Sequence, residues 1–168
     1  LNGIRALYHN GKFVSRDGEV WNDNCLQHLK HELQSFKDVV LDGELYVHNE
    51  SLQSINSRIA VVRTKPHADE GSVEFHVFDY VSTEPGFVRL RNLVGALANT
   101  NMVKRVVSFV TPSLLAANSH YMRFKQSGYE GMMYRHADAP YAIPELTCLR
   151  KDNRTHWLLK RKDWLDLD

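Results

Sequence analysis

The sequence predicts an α+β domain whose sheets are largely antiparallel and carry flanking helices. Short runs of alternating apolar and polar residues recur as strands, and helical periodicities interrupt them without a regular strand–helix–strand alternation. The dipeptide Asn10-Gly11 joins the first two strands and is a strong hairpin signal, because both residues tolerate positive φ. The chain of 168 residues has no internal repeat or linker, which favours one domain.

Five elements are expected in the first half of the chain. They are strands at 4–9, 12–16 and 39–47 and helices at 22–36 and 51–62. Asn22 or Asp23 suits the N-cap of the first helix. In the third strand Asp42 and Glu44 share one face, although Asp is a poor strand former. Two interpretations stay open for that face: a solvent-facing strand, or a site for a cation or a sugar hydroxyl.

The second half of the chain predicts further strands and helices. They are strands at 73–81, 106–110, 129–135 and 157–162 and helices at 88–98 and 111–128. Thr111 suits a capping position before Pro112, and Gly128 suits a C-terminal stop. We assign Phe75 to the core. Glu130 precedes Gly131, where a missing side chain lets a ligand approach closely, and the alternative is a solvated carboxylate.

The last strand carries an unusual pair of cations. Alternation along a strand puts Lys160 and Lys162 on one face and Arg161 on the other. Two neighbouring ammonium groups repel each other unless an anion lies near them, and a phosphate suits that position. The alternative is an edge strand whose lysines prevent edge-to-edge pairing.

Composition limits the classes of partner. The formal net charge is +1, which predicts no strong nucleic-acid or membrane field. Cys25 and Cys148 form neither a disulfide framework nor a metal-binding spacing, which favours an intracellular setting. No apolar run approaches the length of a membrane span, so no membrane partner is expected. The chain starts at Leu1 rather than Met, and we expect it to be a piece of a longer protein.

Six segments resemble, in order, the motifs of the adenylation domain of ATP-dependent DNA ligases, particularly compact viral ones. The segments are Leu1-Asn2-Gly3-Ile4-Arg5, Ser15-Arg16, Leu41-Asp42-Gly43-Glu44-Leu45, Phe75-His76-Val77-Phe78-Asp79-Tyr80, Glu130-Gly131-Met132-Met133-Tyr134-Arg135 and Trp157-Leu158-Leu159-Lys160-Arg161-Lys162. The resemblance implies the covalent nucleotidyltransferase, ATP-grasp-like ligase fold with a nucleotide-binding groove. It also implies that residues 1–168 form one adenylation domain, without its N-terminal start and any C-terminal OB-fold domain.

The chain departs from the family pattern at two positions. The family's nucleophilic lysine would fall directly before Leu1, and it is absent from this sequence. Two explanations stay open: the chain was cut there, or that residue is present in a modified form. Asn2 stands where the family usually has Asp, which keeps the shape of the side chain but removes its charge.

The resemblance implies a reaction and a role for each residue. A lysine amine attacks the α-phosphate of ATP, pyrophosphate leaves, and the AMP passes to the 5′-phosphate of a nick, which a 3′-hydroxyl then seals. Lys160 and Lys162 would lower the pKa of the attacking amine and stabilise charge on the α-phosphate. The resemblance further implies that Glu44 and Glu130 hold the ribose and Mg²⁺ and that Phe78 stacks on the adenine. Arg5 would contact the ribose, and Arg16 would contact a phosphate. Asp42 and Asp79 would be structural supports.

The implied partners follow from that reaction. They are ATP and nicked duplex DNA. We expect the protein to be a monomer and to be intracellular, either in the cytoplasm or, if it is viral, in the host cell. Two alternatives stay open: an RNA ligase of the same superfamily, and a fragment that binds nucleotide or nucleic acid without chemistry. Addition of AMP to the protein separates an enzyme from a binding fragment.

Overall fold

The computed structural model describes residues 1–36 and 38–141 and the backbone of residues 158–162. The strands are β1 (Ile4–His9), β2 (Lys12–Ser15), β3 (Leu41–Tyr46), β4 (Glu74–Tyr80), β5 (Val103–Arg105), β6 (Gly131–Arg135) and β7 (Leu158–Lys162). The helices are α1 (Gln27–Glu32), α2 (Leu52–Ile59), α3 (Gly86–Ala96) and α4 (Leu114–Gln126). None of the helices in the described residues is long and apolar enough to cross a membrane.

The sheets confirm the predicted α+β class. The strand order in the larger sheet is β2-β1-β3-β4-β5, and its neighbours are antiparallel except for the parallel pair β4 and β5. Strands β6 and β7 form a second, antiparallel sheet. Asn10 and Gly11 make the predicted hairpin turn with φ angles of 49° and 78°.

An apolar cluster joins the larger sheet to α1, α2 and α3. Phe75 lies inside it as predicted, with its ring centroid 5.1 Å from that of Phe13. The helices contribute buried residues such as Leu29 from α1 and Ile55 from α2. Since side chains alternate along a strand, the polar side chains of β1 and β3 project from the opposite face of the sheet. That face carries the candidate site.

Helix α1 is shorter than the prediction for residues 22–36, and the predicted cap at Asn22 or Asp23 is wrong. The N-cap is Leu26, which has a φ of 58°. Its backbone N–H donates to Glu70 at 2.6 Å, and both residues are buried. Leu26 and Leu33 are fully buried although they lie at the two ends of the helix. The apolar spacing therefore continued past the helix, and periodicity alone could not show where the helix begins.

The strand predicted at 106–110 is wrong. Strand β5 ends at Arg105, and the N–H of Val106 makes one further bond to the carbonyl oxygen of Val77 at 2.8 Å. The following apolar residues are exposed, with Val110 at 85%. This apolar run therefore belongs to the surface and not to a buried strand.

Helix α4 begins later than predicted, and Thr111 is not its cap. Ser113 is the N-cap, and its hydroxyl accepts the N–H of Ala116 at 3.2 Å. The helix stops at Gly128 as predicted, where φ is 81°. The other predicted elements end within three residues of the observed ones.

Candidate active site

An open cavity of about 880 Å³ brings together four of the residues predicted for the site, which are Arg5, Arg16, Glu44 and Glu130. The other lining residues are Leu1, Asn2, Gly3, Ile4, Ser15, Asp17, Leu52, Gln53 and Asn56. The wall is thus built from the start of the chain, the end of β2, the middle of β3, one side of α2 and the residue before β6. Residues far apart in sequence meet there.

Arg5 and Glu44 enter the cavity from neighbouring strands, because they are direct register partners on β1 and β3. Glu44 Oε1 accepts the backbone N–H of Gly3, which holds the start of the chain against β3. Gly3 has no room for a side chain, since a Cβ atom there would lie 2.3 Å from the carbonyl oxygen of Leu45. The glycine of the first motif therefore permits this close approach.

Asp42 holds the guanidinium of Arg5 in a two-point contact. Arg5 Nε donates to Asp42 Oδ1 at 3.1 Å, and Nη2 donates to Oδ2 at 2.6 Å. The Asp42 side chain is 1% exposed, whereas that of Arg5 is 41% exposed and remains accessible from the cavity. Burial opposes the charge on Arg5, but the hydrogen bonds and the charge of Asp42 outweigh it and raise the pKa of Arg5. Arg5 is thus a fixed cation suited to a polar or anionic ligand.

Phe78 lies at an irregularity in β4. Asp42 pairs with Asp79 and Gly43 pairs with Val77, so Phe78 is the extra residue of a β-bulge. The bulge puts its half-buried ring 5.5 Å from the guanidinium carbon of Arg5. The structure therefore brings Phe78 beside Arg5, although its ring does not line the cavity.

The two aspartates of these strands are buried and fully engaged. Asp79 Oδ1 accepts from Arg89 Nε at 2.8 Å, and Oδ2 accepts from Arg89 Nη2 at 3.1 Å and from Arg135 Nη1 at 2.5 Å. Asp42 Oδ2 accepts the hydroxyl of Tyr141 at 2.6 Å in addition to Arg5. Neither aspartate faces the cavity. Both organise cations, which agrees with a supporting role.

The smaller sheet continues the cavity wall at Glu130. Its backbone register pairs Gly131 with Lys162 and Met133 with Lys160. The backbone of Lys162 thus lies opposite the residue that follows Glu130. The side chains of Lys160 and Lys162 lie outside the described part of the chain.

Residues 1–36 and 38–141 contain no group of three or more His, Cys, Asp or Glu side chains that could hold a metal ion by themselves. Mg²⁺ is usually bound through one or two carboxylates together with waters and substrate phosphates. Glu44 and Glu130 supply two carboxylates to one cavity wall. This donor set fits Mg²⁺ that arrives with a nucleotide.

A family model decides which family this arrangement represents. Residues 1–161 match the model of the ATP dependent DNA ligase domain, a span that includes every predicted site residue except Lys162. The chain belongs to the ATP-dependent DNA ligase domain family. The family predicted from the motifs is thereby confirmed.

Two relatives of this ligase domain are DNA ligases of African swine fever virus. The ligase of isolate Tick/Malawi/Lil 20-1/1983 is 31% identical over 128 residues, which cover 71% of this chain and 29% of that ligase. The ligase of the strain Badajoz 1971 Vero-adapted is 30% identical over 128 residues, which again cover 71% of this chain and 29% of that ligase. The chain therefore spans less than a third of the length of these relatives.

Solved structures share the fold of the ligase domain. A structure from a structure–function analysis of Lig E DNA ligases superposes with a TM-score of 0.74 at 22% identity, over 97% of this chain and 59% of that one. The structure of Chlorella virus DNA ligase-adenylate superposes with a TM-score of 0.68 at 18% identity, over 96% of this chain and 58% of that one. These likenesses confirm the ligase fold that the motifs implied.

Three residues at or near the site escaped the sequence argument. Gln53 and Asn56 line the cavity three residues apart on α2, while Ile55 and Ile59 of the same helix are buried. That spacing was available as a signal, because residues three apart are neighbours on a helix surface and these two amides are exposed. Tyr141 carried no local signal, since it lies in a proline-containing loop 99 residues from the aspartate it contacts.

Proposed function

We propose that this chain is the adenylation domain of a longer ATP-dependent DNA ligase, which seals nicks in duplex DNA through a lysyl-AMP intermediate. The observation that carries the proposal is that Arg5, Arg16, Glu44 and Glu130 line one and the same cavity. Membership in the DNA ligase family and the viral ligase relatives support DNA as the substrate.

The nucleophile in this proposal is a lysine directly before Leu1. The observation that supports this position is that the first five residues of the chain all line the cavity. The amine attacks the α-phosphorus of ATP, a P–N bond forms, and the bond to the β-phosphate oxygen breaks. Pyrophosphate leaves with that electron pair, and the attacking amine has given up its proton. This chemistry needs an unprotonated amine at neutral pH, and nearby cations supply it by lowering the lysine pKa.

Lys160 and Lys162 are the cations proposed for that task. The backbone of Lys162 is the register partner of Gly131, next to the cavity residue Glu130. In this role both lysines also stabilise negative charge that develops on the α-phosphate during attack.

The remaining roles follow from where each residue lies. Arg5 hydrogen-bonds the ribose, and Phe78, whose ring is beside Arg5, stacks on the adenine. Arg16 lies in the same cavity wall at the end of β2 and contacts a phosphate of the nucleotide or of the nick.

Glu44 and Glu130 complete the proposed site. They hold the ribose and Mg²⁺, hard oxygen donors being the ligands that Mg²⁺ prefers. When bound, Mg²⁺ neutralises phosphate charge. Glu44 is already oriented by the N–H of Gly3.

The test is adenylylation followed by sealing. The full-length protein is incubated with ATP and Mg²⁺, and its intact mass is measured before and after. We expect an increase equal to one AMP, lost again when a nicked DNA duplex is added and the nick becomes a continuous strand. A parallel reaction with nicked RNA separates a DNA ligase from an RNA ligase. A protein that binds ATP but never gains AMP would contradict the proposal.

A further inference from the structure

Tyr141 joins the candidate site to a different part of the fold. Its hydroxyl donates to Asp42 Oδ2 at 2.6 Å, the same oxygen that accepts from Arg5 Nη2. The ring of Tyr141 lies 5.8 Å from the guanidinium carbon of Arg89, the buried cation on α3. The side chain of Tyr141 therefore contacts both Asp42, which holds Arg5, and Arg89, which binds Asp79.

The loop that carries Tyr141 is fixed to the start of α3. The N–H of Phe87 donates to the carbonyl oxygen of Ala137 at 2.8 Å, and Arg89 Nη1 donates to that of Ala139 at 3.1 Å. Gly86 packs closely against the loop, since a Cβ atom there would lie 3.0 Å from the carbonyl oxygen of Ala137. Tyr141 thus directly follows residues that are anchored to α3.

Three donors determine the orientation of the Asp42 carboxylate. Arg5 Nε bonds Oδ1, while Arg5 Nη2 and the Tyr141 hydroxyl bond Oδ2. The Asp42 side chain is buried and that of Arg5 is partly exposed, so the carboxylate is the constrained member of the pair. The hydroxyl of Tyr141 adds a donor from outside the pair, which holds the carboxylate in its orientation toward Arg5. It stays protonated at neutral pH, because burial and the charge of Asp42 raise the pKa of Tyr141.

We infer that Tyr141 is a positioning residue, which acts through Asp42 to hold the Arg5 guanidinium in place for the nucleotide. The role of Arg5 toward the nucleotide rests on the proposed function. The substitution Tyr141→Phe keeps the ring beside Arg89 and removes the hydroxyl alone. A matched control is Tyr80→Phe, which removes a hydroxyl bonded to the carboxylate of Glu84 and not to that of Asp42.

The first measurement is a double-mutant cycle on adenylylation of the full-length protein, with Arg5→Ala as the second change. Tyr141→Phe should lower the second-order rate constant about 10-fold when Arg5 is present, the effect of losing a hydrogen bond to a charged group. In the Arg5→Ala background it should change the constant less than about twofold, because its effect passes through Arg5. Equal losses in both backgrounds would overturn the inference.

The second measurement does not depend on adenylylation. Exchange of the Arg5 Nε–H proton with water is followed by ¹⁵N NMR in the full-length protein. Tyr141→Phe should speed this exchange about 10-fold, and Tyr80→Phe should leave it unchanged. Unchanged exchange in Tyr141→Phe overturns the inference. If Tyr141→Phe speeds the exchange but the wild-type protein never gains AMP, the positioning contact stands and the proposed function alone is rejected.

Discussion

Asp42 and Asp79 lie directly opposite each other on β3 and β4, and each buried carboxylate is bound by its own arginine. Two carboxylates in register would repel each other in a buried site. Arg5 satisfies the first, and Arg89 with Arg135 satisfies the second. The two facing carboxylates are therefore neutralised by cations from three elements, Arg5 of β1 for Asp42 and Arg89 of α3 with Arg135 of β6 for Asp79.

Loss of Arg89 should destabilise the domain strongly. Arg89→Met removes both hydrogen bonds from Arg89 to Asp79 and leaves the carbonyl oxygens of Glu84 and Ala139 without this donor. Breaking one side of a buried ion pair costs about 3–5 kcal/mol. Urea denaturation measures the free energy of unfolding. The exposed Arg91 on the same helix provides the control, since Arg91→Met should change that free energy by less than about 0.5 kcal/mol. Equal stability of the two variants would contradict the structural importance of the buried pair.

Phe78→Ala should impair nucleotide binding more than folding. A stacking platform contributes about 1–3 kcal/mol for each base. The control is Phe75→Ala, in which a fully buried ring is lost and the free energy of unfolding should fall by about 3–5 kcal/mol. Calorimetric titration with ATP and thermal denaturation compare the two variants. If Phe78→Ala melts early yet binds ATP with wild-type affinity, Phe78 belongs to the core and not to the base pocket.

Lys160→Ala and Lys162→Ala should each slow the transfer of AMP to the protein. Removing a group that stabilises transition-state charge typically costs on the order of 10²–10³ in rate. Arg161→Ala is the matched control, because alternation along β7 predicts that it lies on the other face. Single-turnover transfer of labelled AMP measures all three variants. An edge-strand role predicts aggregation instead of slow chemistry, and wild-type rates for both lysine variants would remove them from the mechanism.

The residue before Leu1 should be lysine. This expectation comes from the first motif, whose remaining members Gly3 and Arg5 hold the start of the chain in the cavity wall. Sequencing of the gene upstream of Leu1 identifies the residue. Replacement of that lysine by Met should abolish AMP transfer while ATP still binds. Any other residue at the position, in a protein that still gains AMP, would show that the nucleophile lies elsewhere.

Much of the site was predictable from the order of its motifs. The sequence displays directly the period-two alternation of the two strands that carry Arg5 and Glu44, and the pairing of those strands brings both residues to one cavity. Helix α1 and strand β5 were less predictable, because Leu26 and Val110 have similar hydrophobicity but opposite burial. Local apolar spacing does not reveal which of two such residues the rest of the chain will cover.

The sequence by itself determined the family, the α+β class and four of the residues that line the cavity, which are Arg5, Arg16, Glu44 and Glu130, since motif order and strand alternation are local properties of the chain. The tertiary structure alone decided what surrounds them. The bulge at Phe78 depends on how β4 pairs with β3, and the bond from Tyr141 to Asp42 joins residues 99 positions apart. Buried charges must find partners wherever the fold brings donors near them, and those partners are set by packing and not by neighbours in sequence.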